Sequence, residues 1–285
     1  MKLPFKVDLS GKVVVVTGGT GVLGGIWVDA LVQCGAKIAL LGRSKEKLQY
    51  KIDEIEANGG TAIGVEVDIL SRESLSKARQ EILDKLGPCD ILLNGAGGNH
   101  PRGSTSREYL YPEDLNKGDD DTVSLFDLDE EGIRYVFDLN YLGTFLPCQE
   151  FVKDMVGREG CSIINVSSMN AFTPLTKIPA YSGAKAAISN FTRWLSVHLS
   201  KVGVRVNAIA PGFFLTNQNK ELLLNEDGEY TERAKKIIDK TPMERFGRVD
   251  ELVGVLLFLV SEEASSFVNG VVIPVDGGFC AYSGV

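Results

Sequence analysis

Short apolar runs rich in Val, Ile and Leu recur along the chain. Between them lie longer stretches in which apolar and charged residues alternate at helical spacing. The runs predict strands at 12–17, 37–41, 62–67, 90–93, 162–166, 205–210 and 271–275. A helix follows the first strand as far as Gln33, and a charged helix over 44–58 follows the second. Longer helices are expected at 128–156 and 184–201. Strand–helix alternation of this kind specifies a doubly wound α/β fold, a mostly parallel sheet with helices on both faces. No repeat, low-complexity tract or Pro/Ser linker divides the chain, so one domain over 1–285 is expected. Two stretches break the rhythm, the polar 98–126 with its Asp119-Asp-Asp run and the mixed 216–248. Long excursions in a compact α/β domain are lids or substrate loops as a rule. A solvated surface insertion fits the acidic part of the first stretch equally well.

Composition narrows the function classes. Hydrophobic residues make up 44% of 285, and the mean hydropathy of +0.03 suits a soluble protein with a real core. A net charge of −8 argues against nucleic acid or an anionic membrane as partner. Cys34, Cys89, Cys148, Cys161 and Cys280 form no C-x-x-C pair, and an odd count suits reduced thiols, hence a cytoplasmic setting. Neither the start nor any later run has the apolar length of a signal peptide or a membrane span. His100 and His198 are the only histidines, so a His-rich metal site is not supported and no metal is expected.

The first strand runs straight into Gly18-Gly-Thr-Gly-Val-Leu-Gly24 and then a helix. In that setting Gly18, Thr20, Gly21, Leu23 and Gly24 are expected at a dinucleotide pyrophosphate, because glycines let backbone N–H groups and the helix N-terminus approach it. A tight turn without a ligand is the blander reading. These features make the domain Rossmann-type. At the end of the second strand the sequence reads Leu41-Gly42-Arg43-Ser44, with no carboxylate for a ribose 2′-hydroxyl. Arg43 and Ser44 there favour NADP(H) slightly over NAD(H), although Arg43 also fits as a surface arginine stacking on adenine.

Tyr181 and Lys185 stand one helical turn apart, so both side chains share a helix face. An ammonium beside a phenol favours the phenolate and suits acid–base work, and Ser168 lies thirteen residues upstream. The pair alone is a weak signal, but together with the glycine loop it resembles the short-chain dehydrogenase/reductases. The resemblance extends over nearly the whole sequence. It implies adenine contacts from Asp68 and Ile69, and a cofactor wall from Asn94, Ala96 and Gly97 in Asn94-Gly-Ala-Gly97. It implies a cofactor cap from Pro211 to Thr216, and catalysis by Asn140, Ser168, Tyr181 and Lys185. Val22 and Gly95 depart from the usual residues of the family. The roles implied are Tyr181 as general acid and base, and Ser168 as the group orienting the carbonyl. Lys185 lowers the tyrosine pKa and binds the nicotinamide ribose. Asn140 kinks its helix and supports a proton relay, in a helix whose start at Asp127 and Glu130 looks like a capping box.

Three longer strings, 94–101, 167–179 and 276–285, resemble one group within that family, the D-mannonate oxidoreductases, or fructuronate reductases. A sugar-acid substrate would then meet Asn99, His100, Arg102, Asn170 and Lys177, with Arg102 or Lys177 pairing its carboxylate. For each of these singly, a solvated loop residue is the competing reading. Reduction of another keto-sugar acid, such as 5-ketogluconate, or of a 3-oxoacyl group is the alternative within enzymes. A catalytically silent dinucleotide sensor or scaffold is the alternative outside them. Apolar positions on the two long helices, such as Ile133, Phe137, Phe191 and Trp194, and the tail 279–285 point to a homotetramer.

Overall fold

The computed structural model describes residues 6–116, 121–216 and 219–284. In sequence order the elements are β1 Val13–Thr17, α1 Val22–Gln33, β2 Lys37–Gly42, α2 Lys45–Ala57, β3 Thr61–Glu66, α3 Arg72–Lys85 and β4 Ile91–Asn94. There follow α4 Glu130–Phe137, α5 Gly143–Met155, β5 Cys161–Val166, α6 Pro179–His198, β6 Val204–Pro211, α7 Lys220–Leu223, α8 Glu232–Asp239, α9 Val253–Val260, α10 Glu262–Ser265 and β7 Val272–Val275. The seven strands form one sheet in the order β3-β2-β1-β4-β5-β6-β7, all pairs parallel. The winding reverses between β1 and β4, and a doubly wound sheet opens its ligand crevice at the carboxyl ends of the strands there.

The apolar runs are continuous rather than alternating because both faces of the sheet are covered. In β1, Val14 and Val16 pack into one layer with Trp27, Leu31, Ile52 and Leu256. Val13 and Val15 face the opposite layer with Ile82, Phe151 and Leu195. All seven predicted strands are present within a residue at either end.

The predicted helix over 128–156 is interrupted. Between α4 and α5 lies a π-turn, Asp138–Leu142, and the side chains explain it. Asn140 Nδ2 donates to the Val136 carbonyl four residues back (2.7 Å), and Thr144 Oγ1 donates to the Asn140 carbonyl (2.8 Å). Pro147 brings no N–H to the next turn. Side chains that compete for helix carbonyls loosen the ladder, and a one-turn π-bulge is the result. The capping box also differs from expectation. Ser124 and Asp127 form one on a short 3₁₀ turn, while α4 itself is capped by Asp129, whose carboxylate accepts from Glu131 N. The helix predicted over 184–201 starts earlier, at Pro179, because proline suits a first helical position. Tyr181 and Lys185 therefore sit together in its first two turns.

The described parts of the stretch 98–126 are laid over the protein rather than free of it. Thr105 N donates to the Lys177 carbonyl (2.9 Å), and Glu108 pairs with Lys236 of α8 (3.1 Å). Part of its acidic run lies outside the described residues. Among the described residues no helix is long and apolar enough to cross a membrane.

Candidate active site

The glycine loop is folded back on itself. Gly18 has φ +71°, and Gly21 N donates to Gly18 O (3.0 Å). A Cβ at Gly24 would stand 2.2 Å from Gly18 O, and one at Gly18 would stand 2.7 Å from Ala96 N. Only glycine fits either place. Gly21 begins α1, and among the described residues no side chain caps that helix and none in its first turn is acidic. The free N–H groups and the positive end of the helix dipole suit a phosphate. This cradle, closed to any side chain, fits a dinucleotide pyrophosphate, with Thr20 exposed and Leu23 half-buried at its rim.

The other expected cofactor residues fall along the same strand ends. Arg43 is exposed just beyond β2, and the Ser44 hydroxyl caps α2 by accepting from Lys47 N (3.3 Å). Asp68 accepts from Leu70 N (3.0 Å), and Ile69 packs beside Gly143 at the start of α5. Asn94 turns its amide into the interior, donating to Asn165 Oδ1 (2.9 Å) and Cys148 Sγ (3.1 Å). Its side chain thus braces β4 against β5 instead of facing the crevice. Ala96 N donates to Thr17 Oγ1 (3.1 Å), a contact the sequence did not announce. Pro211 ends β6, and Thr216 N donates to Asn219 Oδ1 (2.8 Å).

Asn140, Lys185 and Gly97 meet at one point. A Cβ at Gly97 would stand 2.6 Å from Asn140 Oδ1 and 3.2 Å from Lys185 Nζ. Asn140 is fully buried and clasps Gly98 from both ends of its amide, donating to Gly98 O (2.7 Å) and accepting from Gly98 N (3.2 Å). Lys185 Nζ donates to the Val166 carbonyl (2.8 Å) and lies 5.5 Å from the centroid of the Tyr181 ring. Burial pushes Lys185 down to about 7 and pushes the Tyr181 phenol up, while a hydrogen bond with Ser168 draws the phenol down. The expected lowering by Lys185 is thus opposed: desolvation favours the neutral form of both groups. Ser168 is held by Asn170 N, which donates to its Oγ (3.2 Å).

The proposed substrate residues part ways. Arg102 is ion-paired with Asp129 and with Glu131 (2.8 Å), which ties its guanidinium to the start of α4. His100 accepts from Arg102 N (3.2 Å) and rests 5.0 Å from the Tyr135 ring, and Asn99 donates to Ser104 (2.9 Å). These three hold the turn they sit on. Lys177 has no ion-pair partner among the described residues and is half-buried. Asn170 is 5% exposed, with a side-chain oxygen that finds no partner among the described residues.

Sequence reasoning missed the residues that fasten α6 to β5. Ser167 Oγ contacts the Lys185 carbonyl (3.1 Å) and Ser189 Oγ (2.7 Å), and Asn165 Nδ2 donates to Thr192 Oγ1 (3.0 Å). A signal was available: polar residues at 185, 189, 192 and 196 make a stripe on a helix that also carries buried Ala184, Ile188, Phe191 and Leu195.

A phosphate cradle at the strand ends, with a Ser–Tyr–Lys–Asn group whose serine, lysine and asparagine are buried, defines a nicotinamide-dependent dehydrogenase. The short chain dehydrogenase family model matches residues 12–227, and the protein belongs to that family. The structure is similar to that of a Haemophilus influenzae protein provisionally named D-mannonate oxidoreductase, with bound NAD. The two are 53% identical, cover 98% of each other and superpose with a TM-score of 0.93. An uncharacterized oxidoreductase, UxuB of Bacillus subtilis, is 50% identical over 99% of this protein and all of its own length. A gluconate 5-dehydrogenase of Burkholderia cenocepacia, in complex with NADP and tartrate, is 26% identical over 97% of this protein and 98% of its own length, with a TM-score of 0.80.

Proposed function

We propose that this dehydrogenase interconverts D-mannonate and D-fructuronate. The observation that carries the sugar-acid reading is the pair of uncommitted polar groups in the segment that follows the catalytic serine in the sequence. The buried Asn170 amide lacks a partner for its oxygen, and Lys177 is a cation without a counter-ion among the described residues. A buried unpaired amide favours a ligand hydroxyl, and a free ammonium a carboxylate. The 5-ketogluconate and 3-oxoacyl readings share the catalytic group; a long acyl chain has no use for these polar contacts. The names of the Haemophilus and Burkholderia relatives support a sugar acid.

When bound, the nicotinamide ring would accept or supply the hydride. The glycine loop, Asp68, Ala96 and Gly97 would hold the dinucleotide, with Pro211 and Thr216 at its nicotinamide end. Ser168 Oγ holds the carbonyl or alcohol oxygen against Tyr181. Tyr181 donates a proton to that oxygen in reduction and takes it back in oxidation. Lys185 supports the tyrosine and binds the ribose, and Asn140, fixed beside Lys185, supports the passage of protons away from the site. Arg43, exposed and unpaired among the described residues, supports NADP(H) over NAD(H). The NAD in the Haemophilus relative speaks for the second cofactor.

Absorbance assays with D-mannonate and D-fructuronate, beside gluconate/5-ketogluconate and a 3-oxoacyl thioester, each with both cofactors, test the reading. The highest kcat/KM is expected on the uronate pair. A higher value on another substrate refutes it, and cofactor binding without any turnover supports the sensor alternative. A tetramer is supported by an aromatic series running from the π-turn through α5 to α6, from Tyr141 and Phe145 through Phe191 to a Trp194 stacked on His198 (4.7 Å). Trp194 and Val197 are exposed at its outer end. Light scattering at the 30.9 kDa monomer mass would exclude it. Five free cysteines support a cytoplasmic setting.

A further inference from the structure

We propose that Ser167 is a positioning residue for the Tyr181–Lys185 pair, its hydroxyl holding the Lys185 carbonyl against the end of β5. The inference rests on the reading of Lys185 as partner of both tyrosine and cofactor. Ser167 is 1% exposed and lies beside the catalytic Ser168, yet its hydroxyl points away from the substrate and into the β5–α6 seam. Proton counting gives the contact a direction. A carbonyl only accepts, so the single hydroxyl proton of Ser167 goes to Lys185 O, and the 2.7 Å contact with Ser189 is donated by Ser189. The relay of bonds runs from the Ser189 hydroxyl to the Ser167 hydroxyl and on to the Lys185 carbonyl.

The return bond closes a clasp. Lys185 Nζ donates to the carbonyl of Val166, the residue before Ser167. Lys185 is therefore gripped twice by one dipeptide, through its backbone and through its side-chain tip. Apolar contacts from Phe191 and Leu195 press α6 onto the layer that covers the sheet with Ile163 and Val206, but such contacts are non-directional and tolerate a slide along the helix axis. The hydroxyl bond fixes that axial position. Tyr181, one turn before Lys185, inherits it and meets Ser168, which follows Ser167 in the sequence. Ser167 thus couples the placement of three catalytic groups without touching substrate.

The test uses the full-length protein carrying Ser167→Ala and Ser167→Thr. Calorimetric binding of NADH and NADPH across a pH series reads Lys185 without requiring a substrate. Steady-state turnover reads Tyr181. For Ser167→Ala, kcat falls about ten- to a hundredfold, as misplacement of a catalytic group by a fraction of an ångström implies. Cofactor affinity falls with it, the pH midpoint of binding moves, and the melting temperature and the sugar-acid KM stay close to wild type. Ser167→Thr, which keeps the hydroxyl, restores the wild-type midpoint. An unmoved midpoint with wild-type affinity in Ser167→Ala overturns the proposal. Should that variant fail to fold, Ser189→Ala, which removes only the upstream donor, is expected to move the same midpoint by less, and an unmoved midpoint there overturns it equally. If the wild-type enzyme turns over no uronate, the substrate reading fails while the binding arm still decides the role of Ser167.

Discussion

The floor and the cover of the crevice are built in opposite ways. The floor, formed by β1, β4, β5, α6 and the π-turn before α5, holds Thr17, Asn94, Asn140, Asn165 and Lys185 at 3% exposure or less and ties each of them by hydrogen bonds. The cover, formed by 98–126 and the α7–α8 segment, meets itself through an exposed Glu108–Lys236 pair and displays Tyr109, Leu110, Leu115, Phe126 and Leu222 to solvent. Groups that must stay in register are placed where packing allows no slack, and the cover is built where the backbone can change at little structural cost.

The sharpest way to break this contrast is to crowd the glycine loop that continues the floor beyond β1. Gly24→Val would put a bulky group where a Cβ alone stands 2.2 Å from Gly18 O, so cofactor binding measured by calorimetry is expected to vanish. Retained binding would show that the loop can open. Tyr181→Phe is expected to keep the fold and cofactor affinity while turnover drops by roughly 10²–10⁴, the size of a lost general acid. Near wild-type turnover would remove Tyr181 from its role.

Lys185→Met tests burial itself. Lys185 is pushed down to about 7, so in the folded protein it resists the proton that the unfolded state accepts up to its ordinary value of 10.5. The unfolded state binds more protons between these values, so wild-type stability gains from this group as pH rises from 7 toward 10. The variant, which lacks the group, should lose turnover and cofactor affinity. Any stability advantage it has over wild type should be largest near or below pH 7 and shrink toward pH 10 in denaturant melts. A difference independent of pH would show that Lys185 is not titrating in this way.

Smaller effects belong to the rim and the cover. Arg43→Asp is expected to weaken NADPH more than NADH, since a carboxylate repels a 2′-phosphate and can accept from a 2′-hydroxyl. Equal losses would make NAD(H) the better assignment. Glu108→Ala removes a partly exposed pair whose stabilising effect is about 0–1 kcal/mol, so the melting temperature should hardly move. A clear rise in the KM for the sugar acid would show that the two cover segments act together.

The floor was largely legible in the sequence because glycine spacing and the Tyr181–Lys185 turn follow from local backbone geometry. All seven strands were legible for a similar reason, since apolar runs buried on both faces leave a one-dimensional signature. Three things escaped. The π-turn at Asn140 depends on a side chain bonding its own helix, which periodicity does not report. The commitment of Arg102 to Asp129 and Glu131 depends on a contact 27 residues or more along the sequence. The Ser167 clasp joins residues 18 and 22 apart, and two serines look solvent-facing until the helix is laid on the sheet.

The meeting of Gly97, Asn140 and Lys185 around one small volume also bears on how the protein folds. The three come from separate parts of the sequence, 43 and 45 residues apart: the loop after β4, the π-turn and α6. Contacts of such separation close only after the entropy of long loops has been overcome, so they form late. The β1–α1–β2 unit can assemble its phosphate cradle from local contacts well before that. During refolding, helix content should return first and dinucleotide affinity only when α6 has docked. The last event is then the one that makes the protein an enzyme, and a partly folded molecule has no means of running the reaction uncontrolled.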